Sequence, residues 1–210
     1  MRRPVRLLVA LPLMCALASS GCLSAPGFVT SFVTLPAASI AALPERGDGV
    51  VVAVQDLRKG VSGYEVGSKR AAGWGSEGSR IDLKDREALG DHLARDLVML
   101  LRGQGYRARD SREAAGQPAA LILTAGIEQF KVLADLGTAR VTGLAVLRLQ
   151  AGRPDTRQLV WRDVVMAEVE KQGFQQLDAD YQEIAEKLYR VVLRQLRDKL
   201  AAGLPLPAGG

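Results

Sequence analysis

The sequence predicts an α+β domain of the order β-α-β-β-β-α, a two-layer sandwich in which a four-stranded mixed sheet carries two helices on one face. Three observations predict it. A continuous β-branched run comes first, two stretches place apolar residues at helical spacing, and three stretches of alternating apolar residues lie between those two. With 210 residues, 48% of them hydrophobic, the chain can form one such core with tails.

The first strand and the first helix have clear patterns. Residues 49–56 form a nearly unbroken apolar run rich in Val, which is typical of a strand buried on both faces. Residues 85–103 place leucines on one stripe at helical spacing. Gly103 and Gly105 are expected to end that helix. The first strand should therefore be central in the sheet.

Three further strands and a final helix complete the prediction. Alternating apolar residues predict strands at 119–130, 140–150 and 158–170. Asp180 and Glu183 have the spacing of an N-terminal capping box, and apolar residues follow them at helical spacing. One parallel crossover and two antiparallel hairpins then place both helices on the same face of the sheet.

The face of the predicted sheet opposite the helices is apolar for a solvated surface. If contiguous, such a patch marks a site for a partner, a dimer or a lipid. The alternative is that sheet twist and the long loop before the first helix cover it. The residues concerned are Ile122, Thr124, Phe130, Leu144, Val146, Val160, Val164 and Met166, among Arg148, Arg162 and Glu168.

The N-terminus has the three-part layout of a secretory signal, with a basic segment, an apolar run at 7–18 and small residues before Cys22. About a dozen apolar residues are too few for a spanning helix, which needs about 20. The stretch before Cys22 resembles the lipobox of bacterial lipoproteins, with Ser19 where that pattern usually has Leu. The resemblance implies removal of residues 1–21 and lipidation of Cys22, and Leu23 favours the outer membrane. A plain signal peptide cut nearby is the alternative.

The remaining boundaries follow from composition. Residues 22–48 are rich in Ala, Ser, Pro and Gly without a sustained period, and they are interpreted as a flexible tether. Residues 49–202 form the α+β domain, and 203–210 are expected to be a disordered tail.

Charge and reactive residues exclude several functions. The net charge of +5 includes three arginines of the leader. The rest of the chain has 25 basic and 23 acidic residues, and the two signs alternate along the sequence without long blocks. Nucleic-acid binding is therefore not indicated. Cys15 and Cys22 are the two cysteines and His92 is the one histidine. We expect no disulfide in the domain, no metal site and no cofactor.

The motifs that suggest chemistry have simpler explanations. Residues 73–78 spell G-x-G-x-x-G, but they neither follow a strand directly nor open a helix, so they do not indicate nucleotide binding. Lys69 and Trp74 in the same predicted loop could bind a sugar or a phosphate, although exposed loop residues are more often only solvated. His92 lies in the middle of a helix, where a partly buried histidine is a better explanation than a catalytic base.

Three short motifs carry a family resemblance. They are Val54-x-Asp56-x-Arg58, Val66-Gly67-x-Lys69 and Gly105-Tyr106. In this order they resemble the YajG-like family of bacterial lipoproteins. The resemblance implies an outer-membrane lipoprotein with no known enzymatic activity and no catalytic residues. Physically, Asp56 and Arg58 point the same way from a strand end and either fix the following loop or form a solvated pair.

Together these features predict a lipoprotein of the cell envelope on the periplasmic face of the outer membrane. The expected role is a non-enzymatic module that binds an envelope protein or a lipid, with Asp56, Arg58, Lys69 and Trp74 as candidate contacts. The first alternative is an auxiliary lipoprotein subunit of an envelope lipid or ABC transport system. A less favoured alternative is an enzyme that acts on cell-wall or lipid substrates.

Overall fold

The computed structural model describes residues 30–38, 40–41, 43–70, 77–114, 116–173 and 177–204. Within these residues the chain forms eight strands and two helices. They are β1 (Ser31–Val33), β2 (Arg46–Asp56), β3 (Glu65–Arg70), β4 (Glu77–Leu83), α1 (Leu89–Arg102), β5 (Tyr106–Asp110), β6 (Leu121–Asp135), β7 (Arg140–Gly152), β8 (Leu159–Gln172) and α2 (Leu177–Gly203).

Strand β6 is the centre of one curled, mixed sheet. Along one edge it pairs antiparallel with β7, which pairs antiparallel with β8. Along its other edge, the first half of β6 pairs parallel with β2 and the second half pairs parallel with β3. Strand β5 continues the sheet beyond β2, and β4 and then β1 continue it beyond β3. The sheet therefore has two branches that share the long strands β6, β7 and β8.

The predicted α+β fold with two helices is confirmed, whereas the predicted size of the sheet is wrong. The four predicted strands are β2, β6, β7 and β8, and the structure adds β1, β3, β4 and β5. The added strands have at most seven residues and include many polar side chains. Such segments lack the alternation that predicts a strand, and their pairing with neighbours determines their conformation.

The branch that contains β3 joins β6 through a close backbone approach at Gly67. A Cβ atom at this position would lie 2.1 Å from the carbonyl oxygen of Val132. Because that distance is far inside van der Waals contact, glycine is the residue that allows β3 to pair here. The Val66-Gly67-x-Lys69 motif therefore has a packing explanation.

A buried hydrogen bond joins the two helices. The Tyr189 hydroxyl on α2 donates to the Asp96 carboxylate on α1 at 2.6 Å, and the same carboxylate accepts from the backbone N–H of Ala38 at 3.0 Å. Asp96 is 3% exposed and Tyr189 is 1% exposed. Burial, and next the charge of Asp96, raise the pKa of Tyr189 well above its usual value. This pair therefore connects α1, α2 and the segment before β2.

Helix α2 begins before the predicted capping box. It starts at Leu177, so Asp180 and Glu183 lie inside the helix. Their carboxylates bind the Lys171 ammonium of β8, at 2.7 and 2.5 Å. The two carboxylates therefore attach the helix to the sheet, and the prediction that they cap its first turn is wrong.

Part of the segment interpreted as a tether, 22–48, is folded onto the domain. Strand β1 pairs parallel with β4, and Val33 and Leu35 are buried. The side-chain amide of Gln182 on α2 exchanges two hydrogen bonds with the backbone of Thr34, at 2.8 and 2.7 Å. Residues 31–35 of the predicted tether are therefore part of the folded domain.

The chain ends lie largely outside the described residues. These include the predicted signal at 1–21, the lipidation site Cys22 and residues 205–210 of the predicted tail. Helix α2 continues to Gly203, and Leu204 is buried. Among the described helices, neither is long and apolar enough to cross a membrane.

Candidate interaction face on strands β6 to β8

The three long strands expose apolar side chains on the side away from the helices. On β7 and β8, residues such as Leu147 and Val165 point towards the helices, and their neighbours in sequence point outwards. We call the outward side the outer face. Its exposed apolar residues include Ile122 (37% exposed), Leu144 (37%), Val160 (38%), Val164 (41%) and Met166 (64%).

Strand register places several of these residues together. Val146 of β7, which is half-buried, lies directly opposite Met166 of β8. Leu144 and Val164 are the diagonal neighbours of this pair. Opposed side chains have Cβ atoms about 5 Å apart, and diagonal ones are about 7–8 Å apart. Leu144, Val146, Val164 and Met166 therefore form one contiguous patch, which we call the apolar centre.

Charged residues of both signs surround the apolar centre. Lys131 lies opposite Leu144, and Glu168 lies on the other side of the same leucine. Arg148 forms an ion pair with Glu128 at 2.6 Å, and Arg162 is exposed on β8. An apolar patch within a polar rim is the arrangement of protein-binding surfaces.

The outer face differs from its prediction at Phe130, which is buried. Residues Ile127 and Gln129 pair with consecutive residues of β7, so one residue of β6 bulges between them. A bulge of one residue reverses which side chains point outwards. Phe130 consequently points inwards, with its ring centroid 6.1 Å from that of Tyr189.

The expectation that the long loop covers this face is not met by the described residues. Much of that segment forms β3 and β4, and β3 pairs with the edge of β6 opposite β7. The described part of this segment therefore does not cover the apolar centre.

An open pocket of about 380 Å³ lies at one end of the outer face, beside the hairpin between β7 and β8. Ile122 and Leu159 form its apolar part, and Arg153 and Arg157 supply positive charge. None of the described residues that line it is acidic. Arg157 has a φ of 55°, in the left-handed region that non-glycine residues rarely adopt. The pocket thus combines an apolar surface with two guanidinium groups.

Asp56 and Arg58 form a bidentate ion pair where β2 ends. Arg58 Nε donates to Asp56 Oδ1 at 2.8 Å and Nη2 donates to Oδ2 at 2.6 Å. The Arg58 side chain is only 6% exposed. It also donates to the carbonyl oxygens of Glu65 at 2.6 Å, Gly63 at 3.2 Å and Phe130 at 3.4 Å. The pair therefore fixes the loop that follows, which is the first of the two explanations offered by the sequence.

The position of Arg58 explains how β6 changes partners. The last backbone hydrogen bond on the β2 side runs from Leu57 N–H to Ile127 O at 3.0 Å, and pairing with β3 resumes at Val132. The Phe130 carbonyl lies between these points and accepts from Arg58. The Arg58 guanidinium therefore stabilises the fold through hydrogen bonds to Asp56 and to backbone carbonyls. The prediction that Arg58 contacts a ligand is not tested by this arrangement.

The other candidate contacts lie elsewhere. Lys69 is on β3 and is buried, with its ammonium 5.3 Å from the ring centroid of Tyr181 on α2. Burial lowers the pKa of Lys69, and the Asp178 carboxylate opposes that effect. The prediction that Lys69 belongs to an exposed loop is therefore wrong. Trp74 lies outside the described residues, so no joint site with Lys69 is described.

The free edge of β8 is contacted by side chains of α2. Gln195 donates to the carbonyl oxygen of Met166 at 2.9 Å, and Lys199 binds the Asp163 carboxylate at 2.7 Å. The hydrogen bond from Lys199 is the main reason that the pKa of Asp163 is lowered. In the sequence Asp163 alternates with the apolar residues Trp161 and Val165, and this contact with α2 explains why a charged residue stands there. A sheet edge protected in this way is a poor site for adding another strand.

Comparisons with known proteins support the fold alone. No protein-family model and no curated protein matches the chain. The chain is similar to the solved structure of protein XCC0632 from Xanthomonas campestris, of family model DUF330, with 11% identity and a TM-score of 0.59 over 83% of this chain and 96% of that one. At this identity the similarity shows a shared fold.

Two further solved structures are similar at lower TM-scores, and we draw no argument from them. One is a homolog of neuraminyllactose-binding hemagglutinin from Helicobacter pylori, with 14% identity and a TM-score of 0.47 over 82% of this chain and 92% of that one. The other is lipoprotein GNA1162 from Neisseria meningitidis, with 8% identity and a TM-score of 0.41 over 72% of this chain and 99% of that one. None of the three names the YajG-like family, so that resemblance stays a prediction.

Proposed function

We propose that this chain is a lipoprotein of the cell envelope that acts as a non-enzymatic binding module, anchored through Cys22 and docking another envelope protein on its outer face. The observation that carries the proposal is the contiguous apolar centre of Leu144, Val146, Val164 and Met166. The backbone of the three paired strands that carry them is already ordered, so docking costs little backbone conformational entropy.

The size of the outer face suits a modest protein interface. Three strands spaced about 4.8 Å apart, with roughly twelve paired residues at about 3.3 Å each, present about 600 Å². A standard interface buries about 800 Å² on each partner. The outer face with its rim therefore approaches the area that a standard interface buries on one partner.

The charges of the rim favour a protein over a membrane surface as the occupant. An anionic lipid surface would attract the basic residues of the rim but repel Glu128 and Glu168, which lie beside the apolar centre. A protein partner can place charges of opposite sign against acidic and basic residues alike.

In-cell photo-crosslinking tests the docking proposal. A photoreactive residue at Val164 should yield a discrete adduct with one envelope protein, and a crosslinker placed on that protein should return the adduct. Met166→Glu in the same chain should reduce the yield at least tenfold. Leu43→Glu is the matched control, because Leu43 is 53% exposed and lies outside the three strands. No adduct at Val164, or an adduct insensitive to Met166→Glu, would reject the proposal.

The anchor has a separate test. Labelling with radioactive palmitate should mark the protein with Cys22 and not Cys22→Ala. Equal labelling of both chains would contradict lipidation at Cys22. Sucrose-gradient fractionation should then find the labelled chain with the outer membrane, as Leu23 after the cysteine implies.

A second candidate function is supported by the arginine pocket. An auxiliary subunit of an envelope lipid or ABC transport system needs a place for an anionic amphiphile, and the apolar lining with Arg153 and Arg157 suits an acyl chain next to a phosphate. Native mass spectrometry of the protein extracted from membranes would detect a retained phospholipid. Its retention by the unaltered chain, with loss in Arg153→Ala and Arg157→Ala, would favour this candidate over the protein-docking module.

A further inference from the structure

Three side chains capable of binding a metal ion meet at the start of α1. Asp85 and Glu87 belong to the turn after β4, and His92 lies in the first turn of the helix. His92 Nε2 is 3.0 Å from Asp85 Oδ2 and 3.5 Å from Glu87 Oε2. The three ligand atoms all lie within 4.8 Å of one another. Asp85 is exposed, so the group is open to solvent on one side.

His92 supplies an independent reason to expect a ligand. The residue is 8% exposed, and its Nε2 atom is shielded from solvent. Despite the nearby oxygens, Nε2 makes no hydrogen bond of acceptable direction to a described residue. A buried polar atom left in this state costs about 1–3 kcal/mol. An ion placed between the nitrogen and the two carboxylates would accept the nitrogen lone pair and remove that cost.

The carboxylates are held in place from behind. Asp85 Oδ1 accepts the backbone N–H of Glu87 at 3.1 Å, and Glu87 Oε1 binds the guanidinium of Arg95. Their other oxygens are the ones directed towards His92. Arg86, between them, has a φ of 56°, a strained value that persists only where the surrounding structure enforces it. Contacts of this kind orient the ligands in known metal sites.

We propose that Asp85, Glu87 and His92 bind one divalent transition-metal ion of the zinc class, with water in the remaining position. Tetrahedral bonds of about 2.0–2.1 Å place neighbouring ligand atoms about 3.3 Å apart. The observed separations of 3.0 and 3.5 Å lie on either side of that value. One imidazole nitrogen with two carboxylate oxygens suits zinc, whereas calcium and magnesium prefer oxygen ligands throughout.

The local charges predict reversible binding. Two carboxylates balance the charge of a divalent ion, but Arg95 and the positive end of the α1 dipole oppose it. The affinity should therefore be lower than that of a closed structural zinc site. Bound metal would join the turn after β4 to α1, and it would do so independently of the proposed docking function.

Calorimetric titration of the full chain with zinc sulfate in detergent tests this site. All chains compared carry Cys15→Ser and Cys22→Ser, so that no thiol competes for zinc, and are first treated with a chelator. We expect one equivalent of zinc to bind and to raise the melting temperature. His92→Ala and Asp85→Asn should each weaken binding at least tenfold.

Asp91→Asn is the matched control, since Asp91 is on the same helix turn and binds Arg112 at 2.6 Å. It should bind zinc as tightly as the chain that carries only the two serine substitutions. Asp85→Asn alters an exposed side chain and should fold normally, so a loss of binding in this variant cannot be attributed to unfolding. Absence of stoichiometric binding in the chain that carries only the two serine substitutions, or unchanged affinity in His92→Ala or Asp85→Asn, would overturn the proposal.

Discussion

The two edges of β6 are built in different ways. On the β7 edge, thirteen residue pairs follow one another with a single bulge, and the sheet continues into β8 through a similar run. On the other edge, β2 and β3 are separate pieces, joined by a loop whose carbonyls are held by Arg58. Long regular strands can leave one face free for a partner, whereas the divided edge depends on individual side chains for its own stability.

This contrast predicts which substitutions destabilise the protein and which affect only binding. Changes at the divided edge should reduce the free energy of unfolding, and changes on the outer face should leave it almost unchanged. The expected effects decrease from Gly67 to Val164.

Gly67→Ala should have the largest effect. Its Cβ atom would lie 2.1 Å from Val132 O, so β3 must move away from β6. We expect a loss of about 3 kcal/mol or more, the upper range for overpacking, in urea unfolding followed by circular dichroism. Gly90→Ala on α1 is the control, because its nearest neighbour would be 3.7 Å away. It should stabilise the protein by about 0.5–1 kcal/mol, as alanine is the better helix former.

Arg58→Ala should cost about 2–3 kcal/mol, because it leaves three partly buried carbonyl oxygens and the Asp56 carboxylate without this donor. Asp110 and Arg112 provide a matched comparison, since they repeat the spacing of Asp56 and Arg58 at the end of β5 and also form a bidentate pair. Arg112 is 60% exposed. Arg112→Ala should therefore cost less than about 1 kcal/mol. Equal losses in the two variants would refute the structural role of Arg58.

Tyr189→Phe should cost about 1–2 kcal/mol, because it removes a donor from the buried Asp96 carboxylate. It should also change the alkaline stability. The folded state keeps the Tyr189 proton above the pH, about 10, at which unfolded tyrosine loses it. The unfolded state then binds fewer protons, so the free energy of unfolding falls as the pH rises above about 10.

Urea unfolding at pH 8 and at pH 11 measures this dependence. Burial raises the pKa of Tyr181 to about 12, so that residue contributes a loss of the same sign and some dependence should remain in Tyr189→Phe. The variant should nevertheless lose less stability between the two pH values than the unaltered chain. An equal loss in both would contradict the assignment to Tyr189.

Val164→Thr should have the smallest effect on stability. The side chain is exposed on the outer face, and surface substitutions of this kind usually change the free energy of unfolding by less than about 0.5 kcal/mol. A loss above about 1 kcal/mol would mean that side chains of the outer face stabilise the fold. It would contradict the expectation that changes on this face leave the free energy of unfolding almost unchanged.

The sequence predicts the regular half of this molecule and misses the divided half for physical reasons. Long runs of alternating residues identify β6, β7 and β8, and their outward residues follow from the same period. The short strand β3 has no such pattern. Gly67 allows the close approach of its backbone to Val132, and the Lys69 ammonium lies over the ring of Tyr181. Phe130 is misplaced because a one-residue bulge leaves no signal in residue composition.

The candidate site shows the same limit. The Asp-x-Arg pattern occurs at the ends of both β2 and β5, and the sequence alone does not distinguish the buried pair from the solvated one. Counting histidines and cysteines likewise gives no signal for the proposed metal site, because its ligands other than His92 are two carboxylates that only the turn after β4 brings close to the imidazole.

The most direct test of the account measures stability and binding on the same variant. For Met166→Glu, we expect a melting temperature within about 2 °C of the unaltered chain, since 1 kcal/mol shifts a domain of this size by about 2–4 °C. Its photo-crosslinking yield from Val164 should fall at least tenfold. An unchanged yield with the fold intact would contradict the proposal that the outer face is the docking surface.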